Sequence, residues 1–396
     1  MSGPLRALFM SEGALGIGTV GHGRIEPAIR AGLAGRDDVQ ARYVTLPPQG
    51  PVAKTLARGV PGLGAADLDL QAVRWHLVQA VRARRLLERE LRRAPVDVVH
   101  VVSHSIGLGM VDAMRRVPVV LSADVGIWAY RQFALWSPLR PHSRAAMLPS
   151  IALERRALGR AALVLAWSDW ARQGIEREAP AARSITHHPG IDLQAFRPAP
   201  RRPRERARVL FVGGRFAEKG GQDALDAVEI VRRRHDLELD LVTFESVAAP
   251  PGVRVHRAIA PEQVRDLLQQ ADVVLAPTHA DASPWAVLEA MACSAAIIST
   301  RVGGVPELLG DGDAGVLVPP RNPRALAEAL AVLIDDRRRR VALGEAARAR
   351  AQAHYDARRQ TARLVELIAE ARAAWAAARP DTRSSRGRAS RAGRRG

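Results

Sequence analysis

The chain has one cysteine, Cys293, two lysines, Lys54 and Lys219, and few aromatic residues, 4% of 396. A single thiol excludes an intrachain disulfide and fits a reducing compartment. Sparse aromatics leave little from which to build the stacking platforms of a single-stranded nucleic-acid reader. No stretch approaches the roughly 18 apolar residues of a membrane-spanning helix. Leu5–Met10 is too short for the apolar heart of a secretory signal. These absences lead to the expectation of a soluble, cytoplasmic protein. Acidic residues are outnumbered, 41 against 59 basic ones, for a net charge of +18. Because nearly all of the bases are arginine, the excess reads as coding bias spread over the surface. No nucleic-acid partner is expected; an anionic membrane surface is the sharper alternative.

What is present is enough hydrophobic residue, 47%, to fill two cores of moderate size. In the first half, short apolar runs at Leu5–Met10, Val39–Leu46, Val96–Ser103, Val117–Ala123 and Ala162–Ser168 alternate with helical patterns. That alternation predicts a parallel sheet covered on both faces. Ala66–Arg93 reads as one long helix, with Val73, Leu77, Ala80, Leu87 and Leu91 on its apolar face and arginines largely opposite. The arginine face is read as solvated, or as a surface for anionic lipid. Arg197–Arg206, rich in proline and arginine, reads as a linker. A second series of strands then begins at Val209–Val212. The expected division is a domain over residues 1–198, another over 207–355, a last helix over 356–378 and a disordered basic tail over 380–396.

Residues 277–309 hold side chains that folding alone does not demand. Ser283 and Pro284 read as an N-cap and first helical residue, opening Trp285–Cys293 at the carboxyl end of a strand, where free N–H groups make an anion site. Glu289 sits in that otherwise apolar helix and needs donors, internal ones or the hydroxyls of a bound sugar. Asp281 stands just before the helix, and Gly303-Gly304 makes a turn after the next strand.

This stretch, an acidic residue followed after seven positions by Glu-Ala-Met-Ala, a strand and Gly-Gly-x-Pro-Glu, resembles the donor-site signature of glycosyltransferase family 4. The resemblance implies an α/β architecture of two Rossmann-like domains facing a central cleft, the GT-B type. It also implies retaining transfer of a sugar from a nucleotide-diphosphate donor to an acceptor hydroxyl on a glycan, a lipid-linked molecule or a small molecule. In the family the first acidic residue contacts donor-sugar hydroxyls and the second the ribose, which places those roles on Asp281 and Glu289. An epimerase or phosphorylase on the same fold, or a silent binding protein, is the alternative.

The second domain's first strand runs into Gly213-Gly214-Arg215-Phe216-Ala217-Glu218-Lys219, glycines and two cations beside a helix start, as a diphosphate requires. Lys219 falls where the family places its diphosphate lysine, in a chain with only one other. Ser283, Gly303 and Gly304 complete the expected donor set. In the first domain, Gly16, Gly18 and Gly21 have the GxGxxG spacing of a dinucleotide loop, but no acidic residue ends the next strand, so nicotinamide or flavin is not expected. The resemblance sets this loop near the diphosphate and acceptor instead. His104 and Asp124 follow strands at the ligand-bearing edge, as cleft residues or as caps. Many family members have His-Asp where this chain has Ala123-Asp124. No cofactor and no metal is expected, since no His or Cys cluster has ligand spacing.

Overall fold

A computed structural model describes residues 3–12, 22–60, 62–63, 70–129, 145–200 and 206–378. Gly16, Gly18 and Gly21, and the expected tail over 380–396, lie outside them.

The first half comprises β1 (Leu5–Ser11), α1 (His22–Leu33), β2 (Val39–Thr45), α2 (Pro51–Ala57), α3 (Gln71–Arg93), β3 (Val98–Val101), α4 (His104–Gly107), β4 (Val119–Ala123), α5 (Leu148–Arg160), β5 (Leu163–Ala166), α6 (Asp169–Glu178) and β6 (Ser184–Thr186). Its six strands are all parallel, in the order β2-β1-β3-β4-β5-β6. β3, β4 and β5 are buried along their whole length, which is why they read as apolar runs broken only by His100 and Ser122, whose side chains bond to each other at 2.9 Å.

The second half comprises β7 (Ala207–Val212), α7 (Gly221–Arg232), β8 (Leu237–Thr243), β9 (Val253–Arg257), α8 (Pro261–Gln270), β10 (Val273–Ala276), α9 (Trp285–Ala292), β11 (Ala296–Thr300), α10 (Val305–Leu308), β12 (Val316–Val318), α11 (Pro323–Asp335), α12 (Arg337–His354) and α13 (Ala357–Ala377). These strands are also parallel, in the order β12-β11-β10-β7-β8-β9. Numbered within the half, that is the doubly wound order 6-5-4-1-2-3. The strand order reverses between β7 and β10, and ligands of such sheets bind outside the carboxyl ends of that pair. In the first sheet the reversal falls between β1 and β3.

The last helix leaves the second half and packs on the first. Leu364, Leu367, Ile368 and Ala371 of α13 share a core with Ala7, Phe9, Ile25 and Ile29. The approach of α1 is close enough that a methyl group on Gly32 would lie 2.5 Å from the Thr361 side chain.

Several expectations need correction. Pro284, not Ser283, occupies the N-cap of α9, and no side chain caps that helix. Ser283 instead donates its backbone N–H to Asp281 Oδ1 at 3.1 Å. Between β3 and β4 the helical pattern is realised as one turn of α4 and two 3₁₀ turns, Leu108–Met110 and Ala113–Arg115. Leu77, expected on the buried face of α3, is 45% exposed, because the buried stripe runs through Gln79, Ala80, Ala83, Leu87 and Glu90.

Candidate functional site

Two loops meet at the reversal point of the second sheet. The first follows β7: Gly213 donates to Val242 O at 2.9 Å, which carries the chain across the edge of β8 before it turns into α7. Gly213 and Gly214 are required by packing, since a methyl group would lie 2.5 Å from the rings of Phe211 and Phe244 respectively. The second follows β10 and leads to α9. They are pinned together where His279 donates its backbone N–H to Glu218 O at 3.0 Å, and where the His279 ring lies 2.9 Å from Asp223 of α7.

The closest approach is at Gly220, with φ +73°, where a methyl group would fall 1.9 Å from the Pro277 carbonyl oxygen. Gly220→Ala combines left-handed strain with a backbone collision. It should cost about 2–5 kcal/mol, read as a lower urea midpoint, and should spread the two loops apart.

Lys219 reaches across this junction. Its ammonium donates to Asp281 Oδ2, and both groups are partly shielded, with side chains 31% and 14% exposed. Asp281 in turn accepts from Ser283 N, so one carboxylate ties the cation of the first loop to the start of α9. Gly303, at φ +54°, and Gly304 press on the same segment. Gly304 donates to Asp281 O at 3.1 Å, and methyl groups on the two glycines would lie 1.9 and 2.0 Å from the carbonyls of Asp281 and Ala282. Lys219, Asp281, Ser283, Gly303 and Gly304 are thus brought into one cluster.

Glu289 is 3% exposed and lies about one turn into α9. Arg215 is turned instead to Glu218, at 3.0 and 3.2 Å from its two oxygens, and is 42% exposed. Burial pushes the Glu218 carboxyl above its ordinary value, against the pull of Arg215 and Lys219. Glu218 was not anticipated; its only sequence signal is its place between the two cations.

The first sheet carries a second cluster at its own reversal point. His104 follows β3 and is 5% exposed, with Nε2 3.0 Å from Glu154 Oε1 and Nδ1 3.9 Å from Asp124 Oδ1. Glu154, on α5, is 1% exposed and accepts the Ile127 N–H on both oxygens, at 2.8 and 2.9 Å. Beside it, Ser105 donates to Glu12, at the end of β1. Burial works against charge on the His104 ring, but the bond to Glu154 and the charges of Glu154, Asp124 and Glu12 outweigh it and raise the pKa. Glu154 and Glu12 were missed from sequence.

The two clusters face one another through packed side chains. Val125, Trp128 and Ala129, in the loop that Glu154 anchors, form a small core with Ala282. Glu307 of α10 accepts the Asp169 N–H at 2.7 Å and lies 3.2 Å from His188 Nε2. Ser168 would sit 2.9 Å from a methyl group on Gly304. Among the described residues no group of three or more His, Cys, Asp or Glu side chains could hold a metal ion, and no helix is long and apolar enough to cross a membrane.

Two doubly wound domains whose ligand edges meet in this way define a protein of the GT-B type. Comparison with known proteins agrees. The family model described as Glycosyltransferase Family 4 matches residues 34–195, and that described as Glycosyl transferases group 1 matches residues 206–336. The chain belongs to this glycosyltransferase family.

Curated relatives include the D-inositol 3-phosphate glycosyltransferases of Corynebacterium aurimucosum and Kineococcus radiotolerans. The first is 32% identical over 189 residues, 40% of this chain and 45% of that one; the second is 33% identical over 214 residues, 44% and 49%. The chain spans about half the length of the curated relatives it matches. Among solved structures, sucrose-phosphate synthase from Thermosynechococcus elongatus superimposes with a TM-score of 0.72 at 18% identity, covering 93% of this chain and 100% of that one. HepE of Anabaena in complex with UDP-glucose gives 0.64 at 15% identity, covering 92% and 100%. At these identities the likeness establishes the fold.

Proposed function

We propose that this protein moves a sugar from a nucleotide-diphosphate sugar to an acceptor hydroxyl, with retention at the anomeric carbon and without a metal. The observation that carries the reading is Lys219 held on Asp281 at the reversal point of the second sheet, beside the Gly303-Gly304 turn. A diphosphate leaving group gathers negative charge as its bond to the sugar breaks. A fixed ammonium there stabilises the transition state more than the ground state, and so raises turnover.

In this mechanism Lys219, joined by Arg215 when it turns from Glu218, receives the departing diphosphate oxygens. Asp281 accepts from donor-sugar hydroxyls and Glu289 from the ribose. Trp285, at the start of α9, and Gly303 offer backbone N–H groups to the phosphates, while those of Ser283 and Gly304 hold Asp281 in place. The acceptor hydroxyl forms its bond to the anomeric carbon on the face the diphosphate leaves, and its proton passes to the departing phosphate oxygen. No protein nucleophile is needed, and Lys219 and Arg215 supply the charge that a metal supplies elsewhere. His104 and Asp124 line the acceptor side, where a glycan or lipid-linked acceptor enters. The reaction is assigned to the cytoplasm. The HepE neighbour was solved with UDP-glucose, and the curated relatives carry inositol 3-phosphate in their names, which makes UDP-sugars and phosphorylated polyols the first compounds to try.

The test is a thermal-shift panel of nucleotide sugars followed by product analysis with acceptor. A donor at a hundred times its dissociation constant adds about 2.7 kcal/mol to stability, a readily measured shift. Glu289→Gln should lower donor affinity by about tenfold, the worth of one charged hydrogen bond to a hydroxyl. Wild-type protein that binds a donor but neither hydrolyses nor transfers its sugar would be a silent member of the fold.

A further inference from the structure

Twelve large aliphatic side chains are exposed among the described residues, and seven of them fall between residues 52 and 81. Val52 (72% exposed) and Leu56 (52%) are one turn apart on α2; Leu77 (45%) and Val81 (49%) are one turn apart on α3. Arg74 binds the carbonyls of Leu56 and Arg58, at 2.8 and 2.9 Å, which fastens the end of α2 against the start of α3, so that the two apolar strips lie on adjoining helices. Continuing along the same stripe of α3, at helical spacing, come Arg84, Arg85 and Arg92, all exposed. Lys54 and Arg58 flank the strip on α2, also exposed. Of these five cations only Arg84 has a carboxylate beside it among the described residues, Asp112 at 3.5 Å with both groups open to water.

Aliphatic side chains held out in water beside cations that, Arg84 apart, have no carboxylate among the described residues have one chemistry that satisfies both: an interface whose surface is anionic and whose interior is apolar. We propose that the α2–α3 face docks on an anionic phospholipid membrane, with Val52, Leu56, Leu77 and Val81 entering between the head groups and Lys54, Arg85 and Arg92 meeting their phosphates. A nucleic acid matches the cations but gives the aliphatic side chains nothing to bury against. The opposite side of α3 packs on the segment that begins with His104: a methyl group on Gly109 would lie 2.3 Å from the Ala80 carbonyl oxygen. Docking therefore sets the lipid surface directly behind the first domain's ligand edge. The inference goes beyond the transferase reading and does not depend on it, because binding is read without donor or turnover.

The experiment is sedimentation of the full-length protein with vesicles of phosphatidylglycerol in phosphatidylcholine, against vesicles of phosphatidylcholine alone, at low salt. Wild-type protein should sediment with the anionic vesicles and remain in solution with the neutral ones. The fourfold variant Val52→Ser, Leu56→Ser, Leu77→Ser, Val81→Ser has the same net charge and the same arginine-rich C-terminal segment, and should bind at least about tenfold more weakly. Arg85→Gln with Arg92→Gln should weaken binding several-fold and flatten its salt dependence. No sedimentation of the wild type, equal sedimentation with both kinds of vesicle, or undiminished binding by the fourfold variant overturns the proposal. If the fourfold variant fails to fold, undiminished binding by the folded arginine pair overturns it in the same way.

Discussion

Lys219→Ala should lower kcat by about 100-fold or more while the melting temperature barely moves. The first part follows from the charge that a departing diphosphate develops: removing one preorganised donor from such a site typically costs about 10²–10³ in rate. The second follows from the exposure of the Lys219–Asp281 pair, both of whose partners are reached by water, so that its net contribution to stability is under about 1 kcal/mol. Lys219→Arg should keep some activity, since the charge persists although a planar fork replaces the compact ammonium that bonds Asp281.

Because Lys219 touches Asp281, a loss of rate could come from either group, and the double variant separates them. If Lys219 served only to hold Asp281, Lys219→Ala combined with Asp281→Asn would be no worse than Asp281→Asn alone. A role on the leaving group requires a further drop in kcat for the double variant, measured in steady state with saturating donor. Wild-type turnover in Lys219→Ala would refute the mechanism proposed above.

The largest expected effect on stability is at Glu154. Glu154→Ala strands the Ile127 N–H and the His104 ring in a site closed to water, and should cost about 3–5 kcal/mol in urea denaturation. The His104 bond gives this a pH signature. Its folded pKa is raised above the unfolded value of about 6.5, so its contribution is fully present below pH ~6.5 and is lost as the pH rises through the folded pKa. The stability gap between wild type and His104→Gln should therefore be widest in mild acid and shrink in alkali. A gap independent of pH would mean that the ring is neutral and merely packed. Glu154→Gln, which keeps the shape and one acceptor for Ile127, should fall between wild type and the alanine variant. It should also raise KM for acceptor more than it lowers kcat, since the Ile127 loop packs on Ala282 across the cleft.

Much of the fold was legible because parallel strands buried on both faces must be largely apolar, as β3, β4, β5, β10 and β11 are apart from His100, Ser122, Ser299 and Thr300. β6 was not, because three half-buried residues at a sheet edge, Ser184–Thr186, have no pattern to read. The second-domain residues singled out as a donor site lie in three loops, after β7, β10 and β11, and in one helix start, so the rule that ligands gather at the carboxyl ends of such strands carries most of their proximity; Arg215 is the exception, bonded to Glu218. The His104 cluster is different in kind. Glu154 comes from a helix fifty residues further on, among arginines, where a carboxylate looks like ordinary surface charge; only the tertiary fold shows that it is buried against Ile127 and His104. Leu77 shows the same limit in reverse, an apolar residue at core spacing that the fold leaves in water.

The chain passes between the domains twice, after β6 and again before α13, and the two passages are laced to each other. Ile191 donates to Tyr355 O at 2.7 Å and Ala357 to Ile191 O at 3.0 Å, while His187 Nε2 lies 3.0 Å from Gln360 O. A single tether lets two bodies swing in any direction, whereas a pair of bonded strands bends readily about one line and resists twist. The domains should open and shut as a book does on its spine, so that Lys219 and His104 return to the same relative position with each turnover.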